Sequence, residues 1–363
     1  MKVAIIGAGI SGLSCAHEFQ RLGVKPTIYE KNDYIGEMHP HVAAILSILH
    51  RPMKDSLSYF RADFGLDITP LNTLNTLVHY SESKITTIKG NFGYFFERSK
   101  EKKSVKKQLY SQLEKPRIIF NELADYEKLS KKYDYVIVGS GNSNFTQEKG
   151  CWYDWVTTHV KGATVLGEFD PNTLIMWINK GYCNNGYAYL TPFNSKRASL
   201  ILVVTDIAEK QVDFYWDKFL YYEDIKWKVV EEFRLKHNTG YVYPNKIDNL
   251  CFVGNAGGGI DPFLGFGMMN SLISGAMAAR SIVKGYDYNK LTKFINKQNL
   301  DMYEFRRSFN KLNNRGHNMI LTSIGLPGIK KIMYYSNLNV IKTGGKILGR
   351  INRLDENKRR KRY

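Results

Sequence analysis

Cysteine is scarce in this chain of 363 residues: there are four, at positions 15, 151, 183 and 251, and no two form a CxxC pair. That spacing excludes a zinc ribbon or a thioredoxin-like dithiol and fits a reducing, intracellular setting. Cys15 falls in an expected helix and Cys251 in an expected strand, where a thiol packs as a small hydrophobe. Long apolar runs are also missing. Nothing approaches the ~18 consecutive apolar residues of a bilayer-spanning helix. A core strand is expected from residue 2, so no secretory leader is expected. Acidic residues are in deficit, 34 against 52 Lys and Arg, a net charge of +18. Such a balance favours anionic partners, either an acidic lipid surface or an acidic electron carrier. The dense basic run Lys358-Arg359-Arg360-Lys361-Arg362 is a frayed tail or a candidate contact for a membrane or an acidic protein. No nucleic-acid motif accompanies the charge, and none of that class is expected as a partner. The expected location is cytoplasmic, with peripheral contact at the inner face of a membrane.

What is present begins with a glycine pattern. Lys2–Ile6 (KVAII) suits a buried parallel strand. Gly7, Gly9 and Gly12 form G-x-G-x-x-G, Leu13–Leu22 carries a helical period, and Lys25–Glu30 reads as a second strand. Strand, turn, helix and strand within 30 residues make a dinucleotide-binding βαβ unit. Gly7 permits the tight turn, Gly9 lets the backbone approach a diphosphate, and Gly12 lets helix and strand pack closely. The helix start at Ile10 and Ser11 offers free N–H groups to phosphate. Glu30, with Lys31 beside it, ends the second strand. Its carboxylate can accept from an adenosine ribose and would repel a ribose phosphate.

Further along, residues 32–75 read as mixed loop and helix, with an amphipathic stretch at 41–49. Three short strands are expected within 76–97, a charged helix over 100–113, and strands at 117–121 and 134–138. Residues 151–205 turn strongly β-like, and helices are expected over 211–220 and about 225–233. A strand at 249–254 is followed by a glycine-rich stretch, then a small-residue helix over 272–283 and a mostly helical remainder. The domains are therefore expected to be discontinuous: a cofactor domain from 1–75, 92–165 and 236–285, a substrate domain from 76–91 and 166–235, and a C-terminal helical region over 286–363.

The second motif is Gly254-Asn255-Ala256 followed by Asp261-Pro262-Phe263-Leu264-Gly265-Phe266-Gly267-Met268. It resembles the G-D-A and D-P-x-x-G-x-G of the geranylgeranyl reductase family, within the para-hydroxybenzoate-hydroxylase-like flavoproteins. The resemblance covers roughly residues 1–285. It implies an α/β fold: a Rossmann-like FAD-binding domain, an interleaved antiparallel β-sheet substrate domain, and C-terminal helices. It also implies FAD as cofactor, with Asn255 toward the ribityl chain and the loop Asp261, Gly265, Gly267 and Met268 toward the isoalloxazine. Gly93-Tyr94-Phe95-Phe96-Glu97-Arg98 is similar to the family's strand ending in an arginine, which places Arg98 near the cofactor. Gly139 opens the third nucleotide segment. Tyr187 and Tyr189 fall in a segment similar to the family's Y-x-W-x-F-P, which borders the substrate. Three departures stand out. Asn255 replaces the usual Asp; no Asp-Gly pair follows the strand at 135–138; and the family's cysteine near the flavin has no counterpart in residues 35–40.

No catalytic triad is visible, and no catalytic residue is assigned; flavin enzymes leave the redox chemistry to the cofactor. His39 and His41 are candidate proton donors, and with no third ligand they are not expected to hold a metal. The implied reaction is reduction of a carbon–carbon double bond in a hydrophobic, prenyl-like substrate, with NAD(P)H or a ferredoxin-like carrier as electron donor. The alternatives are a flavin-dependent monooxygenase or halogenase, and a flavin-retaining redox relay without substrate chemistry.

Overall fold

The computed structural model describes the backbone of residues 1–360 and the side chains of residues 1–357, so the basic run from Lys358 lies outside the described side chains. Two sheets organise the chain. The smaller has six strands in the order Lys246–Ile247, Leu250–Phe252, Tyr135–Val138, Val3–Ile6, Thr27–Tyr29, Arg117–Ile119. All neighbours in it are parallel except the edge hairpin 246–252. Its central strands are apolar on both faces because helices cover both sides, as parallel sheets require.

Helix Ile10–Arg21 follows the first strand and crosses helix Met268–Lys284 at very short range. Glycine makes this crossing possible: a Cβ on Gly275 would stand 2.1 Å from the carbonyl oxygen of Ser11. Ser14 Oγ donates to the carbonyl of Leu272 at 2.7 Å across the same contact. Cys15 and Cys251 are fully buried in this core, and all four cysteines are free thiols.

The larger sheet has eight strands in the order Lys228–Val242, Trp152–Leu166, Arg197–Thr205, Tyr187–Pro192, Thr173–Ile178, Asn72–Ser81, Ile85–Arg98, His41–Leu46. It is antiparallel except where 72–81 runs parallel to 173–178, so the expected antiparallel sheet is mixed by one pairing. One face packs against helix Val212–Tyr222 through Trp216 and Phe219. The other face carries two rows in register. Tyr187, Val203, Val160 and Leu235 oppose one another across four strands, and Tyr189, Ile201, Gly162 and Phe233 form the next row. Gly162 leaves room for its neighbours: a Cβ there would fall 2.3 Å from the Phe233 ring.

Several local expectations change. Residues 225–233, expected as helix, enter the strand 228–242, which pairs with 152–166 with two irregularities, at Val229/Glu231 and Thr239/Gly240. The stretch 41–49 is a strand and a 3₁₀ turn rather than an amphipathic helix, since 41–46 pairs with 93–98. Two long strands replace the three short ones of 76–97, and the charged helix shortens to Val105–Ser111. The segments 1–75 and 92–165 each contribute strands to both sheets. Beyond residue 286 the chain is helical: Tyr288–Asn310, Asn314–Gly325, the short turns of 327–335, and Val340–Arg360.

Candidate functional site

A cleft of about 1090 Å³ runs between the two sheets. Gly7, Gly9, Ile10, Ser11, Glu30, Lys31, Arg98, Gly139, Asn255, Gly265, Gly267 and Met268 all line it, together with Tyr187 and Tyr189. Gly12 and Asp261 do not line it, and the local geometry shows what they do instead.

The three glycines of the first motif differ in what a side chain would meet. At Gly7, with φ +93°, a Cβ would lie 2.4 Å from the Gly139 carbonyl oxygen. At Gly12 it would lie 2.0 Å from the Gly7 carbonyl oxygen, so Gly12 serves the packing of helix on turn. At Gly9 it would meet no protein atom within 4 Å: the space belongs to the cleft. Gly9 is also the N-cap of helix Ile10–Arg21 and gives it no side-chain cap. The first-turn amides and the positive end of the helix dipole therefore face a void, the arrangement that receives a phosphate.

Glu30 braces this turn. Its Oε2 accepts from the Ala8 N–H at 2.8 Å, and its Oε1 accepts from the Asn32 N–H and side-chain amide, both at 2.9 Å. A carboxylate has about four lone-pair sites, which leaves capacity for ribose hydroxyls.

The second motif forms the opposite wall. Asp261 is buried, and its carboxylate accepts from three amides of its own loop: Phe263 (2.9 Å), Leu264 (2.7 Å) and Phe266 (2.7 Å). Burial pushes its pKa up, against the lowering pull of those amides. Asp261 is thus the peg on which the loop hangs; Leu264, Gly265 and Gly267 reach the cleft in its place. Gly265 takes φ +72°. Helix Met268–Lys284 begins there with no side-chain cap, the second open N-terminus in the cleft. Asn255 Nδ2 donates to the Gly141 carbonyl at 3.1 Å, tying the second motif to the third nucleotide segment.

A charged group that sequence reasoning missed lies beside Arg98. Arg98 donates to Glu37 Oε1, and Lys106 Nζ lies 3.1 Å from the same oxygen. Burial works against the Glu37 carboxylate, but Arg98 and Lys106 together hold its pKa at about 2. Nothing in the local sequence around Glu37 or Lys106 signals this, because they are 69 residues apart and meet only in the fold. Burial, with Arg98 nearby, drops His41 to about 4, and burial drops His237 to about 4. Both imidazoles are neutral at pH 7, and His39 stacks on Phe233 with ring centroids 5.3 Å apart.

The apolar end of the cleft is the two-row sheet face. Tyr187 donates its hydroxyl to the Leu264 carbonyl, so it buttresses the loop. Tyr189 packs beside it at 5.8 Å between ring centroids, and burial pushes its pKa up to about 12. Two buried polar atoms of cleft-lining side chains lack a protein partner: Arg98 Nε and His237 Nε2. Together with the void at Gly9 and two uncapped helix starts, they suit a large ligand with an anionic middle, as FAD is.

Comparison with known proteins bears on the fold. A family profile for NAD(P)-binding Rossmann-like domains matches residues 5–44. A geranylgeranyl bacteriochlorophyll reductase-like protein from Thermoplasma acidophilum superposes with a TM-score of 0.72 at 16% identity, over 96% of this chain and 98% of that one. A flavin-dependent brominase gives 0.66 at 14% identity, over 99% and 100%. An aklavinone-11 hydroxylase, solved with FAD and aklavinone, gives 0.59 at 14% identity, over 88% and 72%. The chain has the fold of the geranylgeranyl reductase-like flavoproteins, a fold it shares with flavin-dependent halogenases and hydroxylases.

Proposed function

We propose that this protein is an FAD-dependent oxidoreductase that reduces a carbon–carbon double bond in a hydrophobic, prenyl-like substrate. The observation that carries the reading is the continuity of one cleft: main-chain amides and glycines at one end, an apolar aromatic sheet face at the other. Gly9 and the amides at Ile10 and Ser11 would hold the diphosphate, and Glu30 the adenosine ribose. Asn255, Arg98 and the 264–268 loop would hold the remainder of FAD. Bound there, FAD would supply hydride chemistry that no side chain offers. The helix start at Met268 would favour negative charge on the adjacent head group. Val160, Ile201, Val203, Phe233 and Leu235 exclude water from the reacting end, and neutral His41, His237 and Tyr189 leave it suited to an uncharged chain.

A second reading, an oxygen-using monooxygenase or halogenase, is favoured by the brominase and hydroxylase neighbours. One experiment separates them. The purified protein is expected to show a visible flavin spectrum and to be bleached by one of NADH, NADPH or reduced ferredoxin. Reduced protein given a polyprenyl substrate without oxygen is expected to yield the saturated product. Oxygen-dependent modification of an aromatic compound, with the prenyl substrate untouched, selects the second reading. A colourless protein that refuses added FAD refutes both.

A further inference from the structure

Fifty consecutive residues, 305–354, contain ten Lys or Arg and no Asp or Glu. The segment ends in helix Val340–Arg360, whose residues divide into three stripes. One stripe, with Ile341, Gly345, Gly349 and Asn352, is buried. It lies on helix Tyr288–Asn310, where Cβ atoms on Gly345 and Gly349 would meet Asp301 and Glu304 and where Asn352 Nδ2 donates to Glu304. At 100° per residue, the exposed Lys342, Lys346, Arg350 and Arg353 form a second stripe. Ile347, Ile351 and Leu354 form the third, immediately beside it, at 54%, 47% and 60% exposure. The preceding turns expose further large apolar residues, Leu326, Ile329, Ile332, Tyr335 and Leu338, and Arg51 ties them to the body by donating to the carbonyls of Met333, Tyr334 and Leu338.

We infer that this C-terminal layer is a docking surface for an anionic lipid bilayer, with helix Val340–Arg360 lying in the headgroup plane. An acidic protein or a nucleic acid would engage the basic stripe and leave the apolar stripe in water. A second copy of the chain could cover the apolar stripe but would set two stripes of four cations near one another, with Asp301 beside Lys342 and Lys346 offsetting only part of that charge. A bilayer with anionic headgroups satisfies both stripes at once: acyl chains take the isoleucines, and the headgroups attract the Lys and Arg side chains. The same layer backs the apolar end of the cleft, where Leu321, Ile324 and Tyr334 pack in one cluster with Tyr187, Tyr189 and Leu264. The surface stands on its own observations; its use, bringing the cleft to a membrane-dissolved substrate, rests on the proposed function.

The test is vesicle flotation of the full-length protein, which needs no turnover. Binding is expected to phosphatidylcholine vesicles containing phosphatidylglycerol, with little to phosphatidylcholine alone. Ile347→Asp/Ile351→Asp and, separately, Lys346→Glu/Arg350→Glu are each expected to weaken it by roughly tenfold or more. Both pairs lie on the exposed stripes, and unchanged circular dichroism and flavin content are expected to show that the fold and cofactor site are retained. Absence of flotation by the wild type overturns the inference even if the protein is yellow and active. So does binding that the charge reversals abolish but the isoleucine changes spare, which would indicate an acidic macromolecular partner. A concentration-dependent dimer broken by the isoleucine changes, without vesicle binding, overturns it in favour of self-association.

Discussion

Gly9 and Gly12 stand one helical turn apart and do opposite things. A methyl on Gly12 collides with backbone at 2.0 Å, and backbone cannot step aside; a methyl on Gly9 meets nothing in the protein. Gly12→Ala is therefore expected to destabilise the apoprotein by about 1–3 kcal/mol or more. Gly9→Ala should leave apoprotein stability within about 1 kcal/mol while weakening FAD binding. Thermal melting of flavin-free protein with flavin titration checks both; equal melting losses in the two variants would contradict the assignment of the Gly9 space to a ligand. Glu37 makes a second residue-scale prediction. Its folded pKa, about 2, lies below the unfolded value, so it contributes stability above the unfolded pKa and loses it as pH falls toward 2. Glu37→Gln is expected to cost about 2–3 kcal/mol at pH 7. The gap to wild type should close on acidification toward pH 2, as measured by denaturant titration at several pH values.

Among the elements, the cleft depends on two devices. The 261–267 loop is held from within by Asp261, and so presents backbone to the cleft without spending a side chain there. The sheet face keeps its width because position 162 has no side chain beneath Phe233 and Ile201. Gly162→Ala is expected to push the Phe233 ring toward the cleft. That change should raise KM for a long apolar substrate severalfold while leaving FAD affinity intact, since the affected row lies away from the glycine walls. Steady-state kinetics with parallel flavin titration distinguishes this from general destabilisation, which would weaken flavin binding as well.

At the scale of the whole molecule, burial sets the response to acid. His41, His50, His79, His237 and His317 are all depressed to about 4, chiefly by burial. The unfolded chain takes up protons near 6.5 and the folded one only near 4, so stability should fall steadily as pH drops from 7 toward 4. Melting midpoints across that range check this, and a flat profile would refute it; His79→Gln should lessen the slope. How much of this architecture was readable depends on the range of the interaction. Gly7, Gly9 and Gly12, the strand before them and Glu30 after them were legible because tight turns and close packing make demands on adjacent residues. The loop from Asp261 to Met268 was legible as a motif, though its acid proved to hold the loop and not the cleft. The strands 41–46 and 228–242, the parallel pairing of 72–81 with 173–178, and the Glu37–Arg98–Lys106 group were not legible. Each owes its state to partners distant in sequence: a segment becomes a strand when a long neighbour offers hydrogen bonds that its own local sequence does not announce. The local geometry of the glycine turn was thus determined by the sequence around it, whereas the apolar half of the cleft exists because four strands distant in sequence align on one sheet face, and its charged flank because a loop and a helix bring Glu37 and Lys106 to Arg98.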